Sequence, residues 1–263
     1  VEELGNIETP IILTNTLSVP TAADALIDYV LSLDRNRETI RSVNPVVGET
    51  NDGYLSDIQG RHVGKSDVIE AIKLSVSGPV PEGPVGAGTG TVCFGYKGGI
   101  GSSSRVLSGE DGGFTVGVLA QTNFGGSLVI CGVPIPREPA VWGDSGSGDG
   151  SCMIIVATDA PLSSRNLKRL ARRAVFGLAR TGGNCSNGSG EYVTAFSTAR
   201  DLRIPHQEGD SPFLTNRELR NDRMTPLFEA VIEATEEAVI NSLFAGRDMT
   251  GYGGHRIKAL PVA

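Results

Sequence analysis

Along the chain, apolar positions alternate between continuous β-branched runs and stretches with helical spacing. Pro10 to Leu17 (PIILTNTL) is such a run and predicts a buried strand. From Ser18 to Leu33 the pattern turns helical: Pro20 suits a first turn, and Ala22, Ala25, Leu26, Tyr29, Val30 and Leu33 fall on one face. Asn44 to Gln59 carries turn residues around a single Tyr54 and reads as an exposed active loop. Ser66 caps a short helix through Val76, and Gly78 to Gly90 is a Pro/Gly connector. Strand-like runs follow at Thr91–Tyr96, Phe114–Gln121 and Ser127–Val133, and Pro134 to Gly150 has no periodicity and reads as a loop or linker. Cys152–Thr158 (CMIIVAT) is the most strand-like run of all. A basic amphipathic helix over Pro161–Arg180 comes next, with Leu162, Leu167, Leu170, Ala174 and Leu178 on one side. Gly182 and Gly183 end it, Glu191–Ser197 makes another strand, and Thr225 with Pro226 opens a long helix that Gly246 closes. Strands and helices interleave without the regular β-α alternation of a doubly wound sheet. The pattern predicts a layered α/β fold with sheets between helix layers.

Composition narrows the function. The chain has 263 residues, enough for one full core, and no apolar run approaches the roughly 20 residues of a transmembrane helix. Lys plus Arg number 23 against 30 Asp plus Glu, a net charge of −7, and no basic face is long enough to track a phosphate backbone. Neither a membrane nor nucleic acid is expected as a partner. The four cysteines (Cys93, Cys131, Cys152, Cys185) have no zinc spacing and read as buried thiols. The 35 glycines, about twice the usual share, cluster between or inside the strand-like runs. The chain begins at Val1 rather than a methionine, which gives the expectation that something upstream has been removed or omitted. The compartment, cytoplasmic or periplasmic, is not fixed.

Three motifs fail on spacing or partners. Gly64-Lys65-Ser66 opens a helix as a phosphate loop does, but the earlier glycine the motif requires is Gln59. Gly86-Ala87-Gly88-Thr89-Gly90 lacks the third glycine of a dinucleotide fingerprint. Gly143-Asp144-Ser145-Gly146 resembles the serine of trypsin-like proteases, but His62, in a Gly-Arg-His-Val-Gly turn, has no cue of a catalytic base.

Gly148-Asp149-Gly150-Ser151-Cys152 holds more chemistry. A serine stands where a flexible linker meets a buried strand, after a glycine whose missing side chain leaves the backbone open to attack. If the Gly150–Ser151 bond were cut, the new α-amine, with an ordinary pKa of about 7.7 to 8.0, could take the proton of the Ser151 hydroxyl. An imidazole would not be needed. Taken alone, such a Gly-Ser step also fits an ordinary linker.

Gly148–Ser151, the strand ending Ala157-Thr158-Asp159-Ala160-Pro161-Leu162, the helix Leu167–Ala174 and Asn187-Gly188-Ser189-Gly190-Glu191 together resemble the L-aminopeptidase/D-esterase family, which includes the β-peptidyl aminopeptidases. Val1–Gly5, Thr14–Thr16, Val46–Leu55 and Val116–Gly125 resemble that family's segments in the same order. The resemblance implies a self-processing N-terminal-nucleophile hydrolase with a four-layer αββα sandwich, one catalytic domain over residues 1–263 split into 1–150 and 151–263. It implies Ser151 as the nucleophile of both self-cleavage and peptidase turnover, Ser189 and Glu191 as its partners, Asn123 at the oxyanion and Tyr54 near the substrate. Glu191 would also meet the free ammonium of a small peptide, amino-acyl amide or ester substrate. Neither metal nor organic cofactor is implied, and a homo-oligomer is. Family precursors carry a further N-terminal segment, and the present chain starts inside the family pattern. Cys152 departs from the aliphatic residue expected after the nucleophile. On the residues alone Ser189 also fits turn chemistry, Tyr54 a loop anchor and Asn123 a local backbone partner. An N-terminal-nucleophile acyltransferase and an inactive structural homologue remain the alternatives.

Overall fold

The computed structural model describes residues 1–33, 36, 38–136, 150–204 and 213–261. The motif Gly143–Gly146, most of the predicted Pro134–Gly150 linker, and Gly148 and Asp149 of the resemblance lie outside them.

In chain order the elements are β1 (Ile11–Asn15), α1 (Val19–Ser32), β2 (Val46–Thr50), α2 (Lys65–Lys73), β3 (Val92–Cys93), β4 (Tyr96–Lys97), β5 (Gly99–Val106), β6 (Thr115–Asn123), β7 (Val129–Ile130) and β8 (Val133–Pro134). The second half supplies β9 (Gly150–Thr158), α3 (Ser164–Arg180), β10 (Ser189–Ser197), α4 (Thr225–Phe244), β11 (Met249–Thr250) and β12 (Arg256–Ile257). A four-stranded sheet has the order β10-β9-β6-β5, with β9 and β10 parallel and the other pairs antiparallel. β1 and β2 form a separate parallel pair.

Alternation along β9 explains the layering. Cys152, Ile154 and Val156 join Leu170, Ala174, Leu178, Leu227, Val231 and Ala234 of α3 and α4 in the main core. Full burial of one such leucine is worth about 1.5 to 3 kcal/mol. The other face meets the β1–β2 pair, where Met153 packs on Gly48 and Leu13, and α1 and α2 close that pair through Ala22, Ala25 and Val68 against Ile12 and Val47. Helix, sheet, sheet, helix is the four-layer αββα sandwich. Gly101 shows how tight the stack is: a Cβ there would lie 1.9 Å from the Ala238 carbonyl oxygen of α4.

Several expectations are corrected. Asn44–Gln59 is not all loop, because Val46–Thr50 pairs with β1 as a strand. Thr91–Tyr96 is a hairpin rather than a strand, turned by the positive φ of Phe94 and Gly95, and Ser127–Val133 breaks likewise at Cys131 and Gly132. The start of α2 is capped not by Ser66 but around Gly64, whose N–H donates to the Asp67 carboxylate. Cys93 and Cys152 are buried, whereas Cys131 and Cys185 sit exposed in positive-φ turns. Lys65 of the rejected phosphate motif pairs with Asp24 and Asp28, at 2.6 Å each, and ties α2 to α1.

Candidate active site

Four of the residues singled out by sequence, Ser151, Asn123, Ser189 and Glu191, stand at one end of the four-stranded sheet. Ser151 is the second residue of β9, Asn123 the last of β6, and Ser189 the first of β10. Ser151 is the register partner of Asn123 on one side and of Gly190 on the other, while Ser189 stands opposite Gly150 and Glu191 opposite Cys152. Register partners share a face, so Ser151 and Asn123 look toward the β1–β2 layer. Ser189 and Glu191 look toward α3, and Ser189 Oγ donates a hydrogen bond to the Glu191 carboxylate. Between the two pairs runs the Ser151 backbone nitrogen, in the plane of the sheet.

Ser151 is 7% exposed, and its Oγ is buried with no hydrogen-bond partner among the described residues. A buried hydroxyl left unpaired costs about 1 to 3 kcal/mol, and such groups gather where chemistry needs them. Asn123, 1% exposed, is by contrast fixed at both ends: Oδ1 accepts from Val92 N–H at 3.0 Å and Nδ2 donates to the Asn51 carbonyl at 2.9 Å. The first partner can only donate and the second only accept, which sets the orientation of the amide. One Nδ2 hydrogen is thereby used, and the amide keeps a second one.

Gly150 is glycine for a steric reason. A Cβ on it would meet Phe124 Cα at 2.8 Å and the Asn123 carbonyl oxygen at 2.9 Å. Tyr54 sits on the loop after β2, which Asn123 holds through the Asn51 carbonyl. Its ring stacks on His255 at 4.4 Å and 12°, and His255 Nδ1 lies 2.7 Å from the Tyr54 carbonyl oxygen. His62, the weak candidate base, pairs on the surface with Asp57. Among the described residues no cluster of three His, Cys, Asp or Glu could hold a metal, and no helix is long and apolar enough to cross a membrane.

The sequence profile described as Peptidase family S58 matches residues 1–257. The chain belongs to peptidase family S58. Within this family it is similar to the beta-peptidyl aminopeptidase BapA of Sphingosinicella microcystinivorans, 40% identical over 279 residues that cover all of this chain and 69% of the relative. The protein of the same name from Sphingosinicella xenopeptidilytica is 37% identical, covering 99% and 68%. Among solved structures, the PH0078 protein from Pyrococcus horikoshii OT3 superposes with a TM-score of 0.89 at 50% identity, covering 99% of this chain and 72% of that one. The L-aminopeptidase D-Ala-esterase/amidase of Ochrobactrum anthropi, described as a prototype serine aminopeptidase with a variant of the Ntn hydrolase fold, gives 0.85 at 36% identity, covering 95% and 69%. Family and fold make the S58 chain an N-terminal-nucleophile serine aminopeptidase, a hydrolase of peptide bonds.

Sequence reasoning missed two residues around this S58 site. His255, far along the chain, anchors the Tyr54 loop, and only a fold could bring it there. Lys97 is 0% exposed, with burial pushing its ammonium down to about 7, and it ends the β3–β4 hairpin, whose Val92 N–H binds Asn123. A lone lysine between Tyr96 and Gly98 carries no sequence signal of that position.

Proposed function

We propose that the chain matures itself at Gly150–Ser151 and then releases N-terminal residues from short peptides, amides or esters that carry a free amino group. In the first step Ser151 Oγ attacks the Gly150 carbonyl, its bond to the Ser151 nitrogen breaks, and water hydrolyses the resulting ester. Residue 151 then bears both a hydroxyl and a free amine. In turnover the amine takes the hydroxyl proton as Oγ attacks the substrate carbonyl, passes it to the departing amine, and leaves an acyl-enzyme on Ser151 for water to cleave. The spare Nδ2 hydrogen of Asn123 faces the developing oxyanion. Ser189, bound to Glu191, approaches the amine from the other face of the sheet and orients its proton. Glu191 favours the charged form of amines near it, including that of the substrate. Tyr54, held by its loop, lines the substrate approach.

The observation that carries this reading is the buried Ser151 Oγ, without a hydrogen-bond partner among the described residues, one residue inside a strand and directly across from a fixed asparagine amide. The names of the Sphingosinicella relatives favour β-amino acyl substrates within the class. Assembly into a homo-oligomer of processed chains belongs to the same proposal. Denaturing electrophoresis tests the core of it: the purified protein should give two bands that divide at Gly150–Ser151, and Ser151→Ala a single intact band with no activity. An uncleaved protein that still hydrolyses amino-acyl anilides would overturn it.

A further inference from the structure

Lys97 is a large side chain with no exposed surface, at the end of the β3–β4 hairpin. Its Nζ donates to three carbonyl oxygens, those of Gly88 at 2.9 Å, Thr91 at 2.8 Å and Gly98 at 2.7 Å. Three carbonyls match the three hydrogens of the ammonium form, and the neutral amine, with two, can still donate to two of them. Asp52 and Cys93 are the titratable groups that face it. Taking such a cation out of water is expensive, and a methionine would fill the same space without that cost.

The contact with Thr91 has a consequence for the site. The carbonyl of Thr91 and the N–H of Val92 belong to one planar peptide unit and, with no cis bond among the described residues, point in opposite directions. Lys97 holds the carbonyl end and Asn123 Oδ1 the N–H end. Gly98 N–H adds a second donor to the Thr91 oxygen at 3.1 Å, and the Lys97 N–H is itself tied to the Lys258 carbonyl.

We infer that Lys97 is a positioning residue for turnover: it sets the plane of the Thr91–Val92 peptide, and through that peptide the direction in which Asn123 presents its free Nδ2 hydrogen to the oxyanion beside Ser151. The inference rests on the oxyanion role proposed for Asn123. Lys97 itself touches neither substrate nor nucleophile. Without it the Asn123 amide keeps its place in the sheet but loses its fixed rotation, so the transition state suffers and substrate binding does not.

The test is a double-mutant cycle of Lys97→Met and Asn123→Ala, read as kcat and KM on an amino-acyl anilide per processed chain. Where a variant matures slowly, the half-time of Gly150–Ser151 cleavage supplies the same comparison. Lys97→Met alone should lower kcat about tenfold or more with KM within about threefold, and in the Asn123→Ala background it should cost less than about threefold further. Equal losses in both backgrounds, or a Lys97→Met enzyme within about twofold of the parent, would overturn the inference while leaving the Asn123 role intact. An Asn123→Ala enzyme as fast as the parent would overturn the oxyanion reading, and the inference with it. If Lys97→Met does not fold, Lys97→Gln, which retains two donors, takes its place. Failure of both to fold assigns Lys97 to folding and overturns the inference.

Discussion

Ser151 and Asn123 are direct register partners across β9 and β6, so the hydroxyl and the amide start from backbones one strand apart on the same face of the sheet. Asn123→Ala should therefore lower kcat by about 10² to 10³ while KM moves little, the signature of a donor used only in the transition state. Steady-state kinetics on an amino-acyl anilide measure it. A rise in KM with kcat preserved would assign Asn123 to substrate binding instead.

Gly150→Ala forces a methyl group into the Asn123–Phe124 backbone. Overpacking of this kind costs about 1 to 3 kcal/mol. The expected outcome is a lower melting temperature together with slower appearance of the two-band pattern, followed in a cleavage time course. Normal maturation would mean that β9 can shift away from β6 at no cost.

Ser189 and Glu191 act as one hydrogen-bonded unit. Removing either by Ser189→Ala or Glu191→Gln should reduce kcat by about 10² to 10⁴, the usual worth of positioned proton transfer, with the double variant little worse than each single. Glu191→Gln should also narrow the rate gap between anilides with a free amine and those with an acetylated one. If blocked and unblocked compounds react alike in the parent enzyme, Glu191 does not recognise the amine.

Burial holds Lys97 near 7 in the folded chain against an ordinary value of 10.5. Between those values the unfolded chain binds a proton that the native chain has released, so this group's contribution to stability grows as pH rises through the window, by up to about 1.4 kcal/mol per pH unit. Below pH 7 the gain is absent. Urea midpoints of the parent and of Lys97→Met, compared at pH 6 and pH 9, should shift in favour of the parent at the higher pH. A difference that does not change with pH would place the Lys97 titration outside this range.

The sequence is most legible where one face of an element does a single job. Helices α1, α3 and α4 appear within a few residues of their expected ends because their apolar stripes meet continuous sheets, and β9 because β-branched residues fill it. Its two extra residues, Gly150 and Ser151, carry no strand signal but belong to the ladder through pairing with β6 and β10. Strand β5 has no counterpart in the sequence pattern: Gly99-Ile100-Gly101-Ser102-Ser103-Ser104 has little β-branched content, yet its small side chains, Gly101 above all, let α4 approach closely. β2 lies inside the stretch whose turn residues around Tyr54 read as a loop, and its Gly48 leaves the space that Met153 fills.

At the site, Ser189 and Glu191 lie two apart on β10 and so share a face, and their hydrogen bond follows from it. Spacing within one strand could not say that this face is the opposite one from Ser151, since that depends on register between strands. The links from Lys97 through the Thr91–Val92 peptide to Asn123, and from His255 to Tyr54, join positions distant along the chain and were legible only after folding.

The ladder between β6 and β9 joins Val116–Asn123 to Ser151–Thr158, and α4, from the second half, packs across β5 and β6 of the first. Any scission at the head of β9 therefore leaves a seam through the middle of a sheet and beneath a shared roof. The two fragments would have to travel as one particle through every non-denaturing step, and neither would have a closed interior if made without the other.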